Sequence, residues 1–152
     1  MARGKIDKIG LEIVKHLQDG RKSYKEIGQA LGFTEATIRS KVNKMLEEGL
    51  IAIKALTSTR DMEVGYQTVY VGVSLKSPAL KKTAEGIAKL PGVISVALVT
   101  GRFDLILTVM LTPEFALMDF FNTMLEQYSE NISANETFLI YEEVNLKTPY
   151  PY

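Results

Sequence analysis

Apolar residues recur at Ile6, Ile9, Ile13 and Leu17, the spacing of one buried helix face, with Asp7 near the start and Gly20 past the end. Gly10 inside this stretch costs roughly 1 kcal/mol against Ala, so close packing is expected there. Ser23-Tyr24-Lys25-Glu26 is a capping box, and a short helix follows that buries Tyr24, Ile27 and Leu31. Gly32 suits its left-handed end and Thr34 caps the next helix. That third helix, Thr34 to Glu48, places Ile38, Val42, Met45 and Leu46 on an apolar stripe, and Gly49 stops it. Ala36, Ser40, Asn43 and Lys44 lie opposite the stripe, flanked by Thr37, Arg39 and Lys41. Two helices joined by so short a turn, the second amphipathic and basic, predict a helix-turn-helix.

Beyond it, Ile51 to Leu56 alternates and predicts a strand, and the polar stretch Thr57 to Gly65 a linker. Thr68 to Leu75 is a β-branched and aromatic strand, after which Ser77-Pro78 opens a helix carrying Leu80, Ala84, Ile87 and Leu90. Pro91-Gly92 breaks that helix. Strands are expected from Val93 to Val99 and from Asp104 to Leu111, joined by a turn at Thr100 to Phe103. Thr112-Pro113 then opens a helix with the apolar set Phe115, Leu117, Met118, Phe121 and Leu125, and a last strand runs from Thr137 to Val144. The order is βαββαβ, the split βαβ of ferredoxin-like folds. The fold class is thus α+β, with a helix-turn-helix domain over residues 1–50 and a hinge strand and linker over 51–65. A ferredoxin-like domain over 66–146 and an extended or frayed tail over 147–152 complete it. Apolar groups fall on both faces of the predicted strands, so the face without helices is expected to be covered by another subunit through a two-fold axis.

Formal net charge is zero, but the charges segregate. Residues 1–60 carry 12 Lys or Arg and 7 Asp or Glu, and residues 61–152 carry 6 and 11. A basic N-terminal part on an acidic remainder fits one module that meets phosphate and one that does not. On the third helix, small residues permit close approach to a groove, amides and hydroxyls read base edges, and Arg or Lys reaches phosphate. The DNA-reading candidates are therefore Thr34, Ala36, Thr37, Arg39, Ser40, Lys41, Asn43 and Lys44, although an ordinary amphipathic surface helix would carry a similar set.

Cysteine is absent, which excludes disulfides and thiolate metal sites. No secretory signal or membrane-length apolar run is read, so a cytoplasmic protein without membrane partners is expected. His16 is the one histidine, on the first helix, and Glu142-Glu143 point to opposite faces of a strand. No nucleophile motif, metal spacing or phosphate-cradling glycine pattern is present, so neither an enzyme nor a cofactor is expected. In the second module the hairpin Gly101-Arg102-Phe103-Asp104 stands out. Gly101 can present its amide to a ligand, while Arg102 and Asp104 match the carboxylate and ammonium of a free amino acid. Equally, Gly101 can simply make the turn and Asp104 bond to nearby backbone.

Nearly end to end, the chain resembles the Lrp/AsnC family of prokaryotic transcription factors, the leucine-responsive and asparagine-responsive regulators. The blocks that carry the resemblance run from Ile6-Asp7-Lys8-Ile9 through Gln18-Asp19-Gly20-Arg21, Tyr24-Lys25-Glu26-Ile27 and Leu31-Gly32-Phe33-Thr34. Thr37 to Val42, Glu47-Glu48-Gly49-Leu50-Ile51 and Glu63-Val64-Gly65-Tyr66 continue it, and Gly101 to Asp104 matches the family's Gly-x-Tyr-Asp turn. The resemblance implies a winged or plain helix-turn-helix dimer that binds double-stranded DNA and assembles further into octamers. It also implies a small effector, usually an amino acid, bound between dimers by Gly101, Arg102, Phe103, Asp104 and the strand near Thr137. Departures from the family pattern stand at Gly10, Ser40, Asn43 and Leu46, and Phe103 replaces a Tyr hydroxyl. A related branch decarboxylates sirohaem-type tetrapyrroles on the same scaffold. The C-terminal module here has Arg102 as its only Arg and no His, which argues against that alternative. A sensor without DNA binding is a third reading, opposed by Arg39, Lys41 and Lys44.

Overall fold

The computed structural model describes residues 4–76 and 79–150 and divides between Lys54 and Ala55 into two units. The first unit holds α1 (Lys8–Leu17), α2 (Tyr24–Leu31) and α3 (Glu35–Glu47). Each start has a side-chain acceptor for an orphan amide. Asp7 Oδ1 accepts the Gly10 N–H at 2.6 Å, and Thr34 Oγ1 accepts the Thr37 N–H at 3.2 Å. The Ser23–Glu26 box closes both ways, at 3.2 and 2.7 Å. Gly32 ends α2 in the left-handed region at φ 74°, two residues before Thr34. Ile13, Ile27, Ile38 and Val42 are fully buried together with Met45, and Met45 Sδ packs at the α-carbon of Gly10. Fully burying each such side chain contributes roughly 1.5–3 kcal/mol.

Leu46 does not join this core and is 36% exposed. Eight residues after Ile38 the helix has turned about 80° past it, so the stripe runs through Ile38, Val42 and Met45 instead. The strand expected over Ile51 to Leu56 also shrinks. Residues 51–55 form no ladder, and the Leu50 and Ile51 amides bond to the Met45 carbonyl. Alternation describes a face, but a strand exists only where its amides find a partner strand. Among the described residues the first unit has no strand, so the helix-turn-helix is plain and not winged.

In the second unit, β2 (Gln67–Leu75), β3 (Val93–Leu98), β4 (Leu105–Leu111) and β5 (Ile132–Leu139) form an antiparallel sheet in the order β3-β4-β2-β5. With α4 (Leu80–Ile87) and α5 (Leu117–Tyr128) between strands, this is the ferredoxin-like βαββαβ arrangement. Val69, Val71 and Val73 of β2 and Leu105, Leu107 and Val109 of β4 meet Ala84, Ile87, Phe120 and Met124 of the helices in one core. The alternate residues Tyr70, Gly72 and Ser74 therefore face the side without helices.

Several boundaries move. Ser77-Pro78, expected to open α4, lies outside the described residues, and α4 begins at Leu80. Thr112-Pro113 does not open α5. Thr112 and Phe115 exchange backbone bonds of 3.1 Å around a tight turn, and the helix starts at Leu117, where Asp119 accepts the Ala116 N–H. That start sets the helix phase. Phe120 and Met124 are buried, Met118 and Leu125 are exposed, and Phe115 precedes the helix. The last sheet strand runs from Ile132 to Leu139 and not from Thr137 to Val144, because β2 offers partners for that segment from Leu139 back to Ala134 and, past a register shift, for Ile132.

The described part of the tail, residues 147–150, is extended and held. Thr148–Pro149 forms β6, paired with β1 (Leu56–Thr57). Glu143 accepts hydroxyl bonds from Ser58 and Thr59, and Lys147 pairs with Asp61 at 3.3 Å. Burial pushes the Glu143 carboxyl up, but these hydroxyls, the Arg60 amide and Lys147 outweigh it and hold it below its usual range. Among the described residues, no helix is long and apolar enough to cross a membrane.

Candidate DNA-reading helix and effector hairpin

α3 has one face in the core, so its other face is presented outward by construction. Ala36, Arg39, Ser40, Asn43 and Lys44 are all exposed along it, with Thr37 and Lys41 half-buried on a flank. Thr34 sits at the helix start with its hydroxyl 2.8 Å from that of Thr37, so these two hydroxyls cap the helix and each other. All eight sequence candidates thus belong to one element, but they divide by direction. At 100° per residue Ala36, Ser40 and Asn43 centre the exposed face, Arg39 and Lys44 border it, and Lys41 points toward α1.

The cations are held by carboxylates of the same unit. Arg39 Nη2 lies 2.6 Å from Glu35 Oε1 and its guanidinium covers the Tyr24 ring at 5.3 Å. Lys44 pairs with Glu48 at 3.8 Å, and Lys41 with Asp7 at 3.4 Å. The Gly10 amide, followed by Lys41 and Lys44, keeps the Asp7 carboxyl below its usual range. Glu47 follows Asn43 along the centre of the same outward face, and Glu35 and Glu48 flank it, acids that a reading of the cations alone does not bring out. Exposed pairs of this kind are weak in water and exchange readily for phosphate.

The hairpin between β3 and β4 folds onto the helix-free face of the sheet. Gly101 has φ 132°, a backbone conformation other residues adopt only under strain. Phe103 then drops onto Gly72: a β-carbon there would lie 2.6 Å from the ring, so the strand needs a glycine under this aromatic. Phe103 meets Phe138 edge to face, with centroids 6.1 Å apart. Arg102 Nη2 pairs with Glu136 Oε2 at 2.9 Å and its guanidinium lies 5.3 Å over the Phe103 ring. Asp104 turns back into the backbone, its Oδ2 accepting the Leu75 N–H at 2.7 Å.

Thr137 is not brought to this cluster. It lies opposite Val71 on the face that carries the helices, whereas Glu136 opposite Gly72 and Phe138 opposite Tyr70 share the hairpin's face. Placing the strand at Thr137 to Val144 hid this pairing. Two signals were present in the sequence: a glycine inside the strand VYVGV, which marks close approach, and Glu136 and Phe138 at a spacing of two.

Residues 6–46 match the AsnC-type helix-turn-helix domain family, and residues 68–150 match the Lrp/AsnC ligand binding domain family. An HTH-type transcriptional regulator of Pyrococcus furiosus is 32% identical over 137 residues, covering 89% of this chain and 91% of the relative. One of Pyrococcus horikoshii is 34% identical over 106 residues, which span 68% of this chain and 66% of that relative's length. Among solved structures, AsnC of E. coli superposes with a TM-score of 0.66 at 22% identity, covering 94% of this chain and 97% of its own. A Neisseria meningitidis regulator in complex with L-Met gives 0.64 at 19% identity, covering 97% of each chain. At these identities the superpositions speak to the fold.

Proposed function

The chain belongs to the Lrp/AsnC family, and from that premise we propose that it is a DNA-binding transcriptional regulator whose operator affinity is tuned by a small effector, an amino acid. The observation that carries this reading is α3 itself. Its Ile38–Val42–Met45 side is locked in the core while Ala36, Ser40 and Asn43 centre an open face bordered by Arg39 and Lys44. In the major groove, Ser40 and Asn43 reach base edges, Ala36 allows close approach, and Arg39 and Lys44 exchange Glu35 and Glu48 for phosphates. Thr34 and Thr37 cap the helix start near the backbone of the duplex, and Lys41, held by Asp7, contributes least.

The effector binds at Gly101 to Asp104, an assignment supported by the polar and aromatic cluster there, and its being an amino acid is supported by the L-Met in the complex of the Neisseria neighbour. Tyr70, Ile106 and Phe138 leave apolar area on the helix-free face, which a second copy covers in a homodimer. Higher assembly, such as an octamer, brings hairpins from different dimers together. The effector shifts operator affinity by its differential binding to the alternative assemblies. Relatives named as transcriptional regulators support a non-catalytic, cytoplasmic role over the tetrapyrrole-decarboxylating one.

The test is a fluorescence-anisotropy titration of the full chain against the DNA upstream of its own gene, with and without a pooled amino-acid mixture. Salt-sensitive binding tighter than to random DNA, and changed by the pool, is expected. Binding no tighter than to random DNA would remove the operator reading, and tight binding indifferent to the pool would remove the amino-acid effector.

A further inference from the structure

Past β5 the chain returns to residues 56–61, the segment through which it first enters the second unit, and fastens to them at several points. Leu56 and Thr57 pair with Pro149 and Thr148, and Lys147 lies 3.3 Å from Asp61. The Ser58 and Thr59 hydroxyls and the Arg60 amide all donate to the Glu143 carboxylate. Asn145, at φ 55°, turns the chain between Glu143 and Lys147, so both ends of that turn are fastened. These contacts are of one kind. Ser58, Thr59 and Thr148 are buried hydroxyl residues, and among the described residues no side chain of 56–61 or 140–150 belongs to the apolar core of the unit. A two-residue ladder with polar partners opens at a far smaller free energy than the core beside it. Before this segment the chain is loose. The Ile51 N–H reaches the Met45 carbonyl at 3.4 Å, and among the described residues no backbone bond holds residues 52–55. With the tail in place these four residues are the only free chain before β1; with the tail lifted, up to fifteen residues, 52–66, are free before β2.

We propose that residues 140–150 form a releasable strap on the hinge, and that the strap sets how far each DNA-binding unit can reach from the effector unit. The inference rests on the DNA-binding homodimer described above. Closed, the strap leaves four loose residues, which span at most about 14 Å. Open, it leaves up to fifteen, which span about 50 Å at full extension. Half-sites for two recognition helices lie about 34 Å apart, so a short tether accepts one spacing and a long tether several. Lengthening the tether also dilutes the second DNA-binding unit at its half-site. Effective concentration falls roughly as the −3/2 power of tether length, a loss of up to about sevenfold for this change. Release of the strap thus exchanges operator affinity for tolerance of half-site spacing.

Because the chain has no cysteine, an introduced pair can act as the sole latch. Leu56→Cys with Pro149→Cys joins register partners at an α-carbon separation that suits a disulfide, and Glu143→Ala with Lys147→Ala removes the polar hold. Hydrogen exchange of the full chain reads the strap without DNA. Residues 56–61 and 143–150 exchange together, about tenfold or more faster than β2, and oxidation of the cysteine pair slows them. Exchange at the rate of β2, as when a second copy pins the tail, overturns the proposal. Anisotropy titrations then use the DNA upstream of the gene, once footprinting has located its half-sites. On the native spacing the alanine pair binds up to about sevenfold more weakly than the oxidised cysteine pair, while both bind a single half-site equally. Inserting about ten base pairs between the half-sites asks each arm for about 17 Å more, beyond the closed reach. There the oxidised pair binds no better than to a single half-site, and the alanine pair binds better. Equal spacing preference in the two variants, or a loss as large on the single half-site, overturns the strap and leaves the operator reading intact. Binding of neither variant above random DNA overturns both.

Discussion

Gly72→Ala introduces a single methyl group at the point where the hairpin rests on the sheet. That methyl would lie 2.6 to 2.7 Å from three ring atoms of Phe103, whereas ordinary contact begins near 3.4 Å. The ring has to lift, breaking its edge contact with Phe138 and moving Arg102 away from Glu136. Overpacking of this size costs about 1–3 kcal/mol, against which Ala gains roughly 0.5–1 kcal/mol over Gly in a strand. A net loss of about 1–2 kcal/mol is expected. Phe103→Ala alone costs roughly 2 kcal/mol, about half the figure for a fully buried Phe because this ring is half-buried. With the ring gone the methyl group at position 72 has free space, so Gly72→Ala in that background is neutral or stabilising by up to about 0.5 kcal/mol. The cycle therefore closes with a coupling of about 1–2.5 kcal/mol. Urea unfolding followed by tyrosine fluorescence reads it, because of the seven tyrosines only Tyr24 precedes residue 55. Equal penalties in the two backgrounds, within about 0.5 kcal/mol, would refute the placement of Phe103 on Gly72.

The DNA-reading face gives a graded expectation. Arg39→Ala and Lys44→Ala, whose side chains are 58% and 74% exposed, each lower the salt slope of operator binding by about 0.9 unit for every phosphate no longer neutralised. Lys41→Ala, 33% exposed and directed to Asp7, changes it least; a larger effect at Lys41 than at Arg39 would reverse the proposed orientation of α3. Ile38→Ala empties a fully buried site in the three-helix core and should cost about 2–5 kcal/mol, unfolding the first unit as seen by circular dichroism and abolishing operator binding. Glu143 titrates below its ordinary value of 4.5 in the folded chain, so its contribution is present above about that pH and fades as pH falls through the depressed folded value. Glu143→Gln therefore lowers the urea midpoint of the second unit at about pH 7 and converges on the wild type in acid; a constant difference would deny the carboxylate its role at Ser58 and Thr59.

Local chemistry settled much of this protein before any fold was seen. The Ser23–Glu26 box, the Thr34 cap and the left-handed Gly32 act within a few residues of themselves, so three helices and their turn followed directly from the chain. The apolar periodicity of β2 and β4 and the βαββαβ order were legible for the same reason, since each strand's burial is written in its own alternation. The candidate elements were legible as well: α3 with its outward polar face, and the turn Gly101 to Asp104.

Everything decided by a partner distant in sequence was not. Residues 51–55 alternate but find no strand to pair with, while Ile132 to Leu139, without that alternation, is a strand because β2 lies beside it. Thr112-Pro113 has the composition of a helix start, yet the bonds between Thr112 and Phe115 close a turn and shift α5 in phase, bringing Phe120 and Met124 to the core. Asp104 and Arg102 are both charged turn residues in the sequence. Only the tertiary structure commits one to the Leu75 amide and leaves the other facing Glu136, because the register of β5 on β2 determines which side chains share a face with the hairpin.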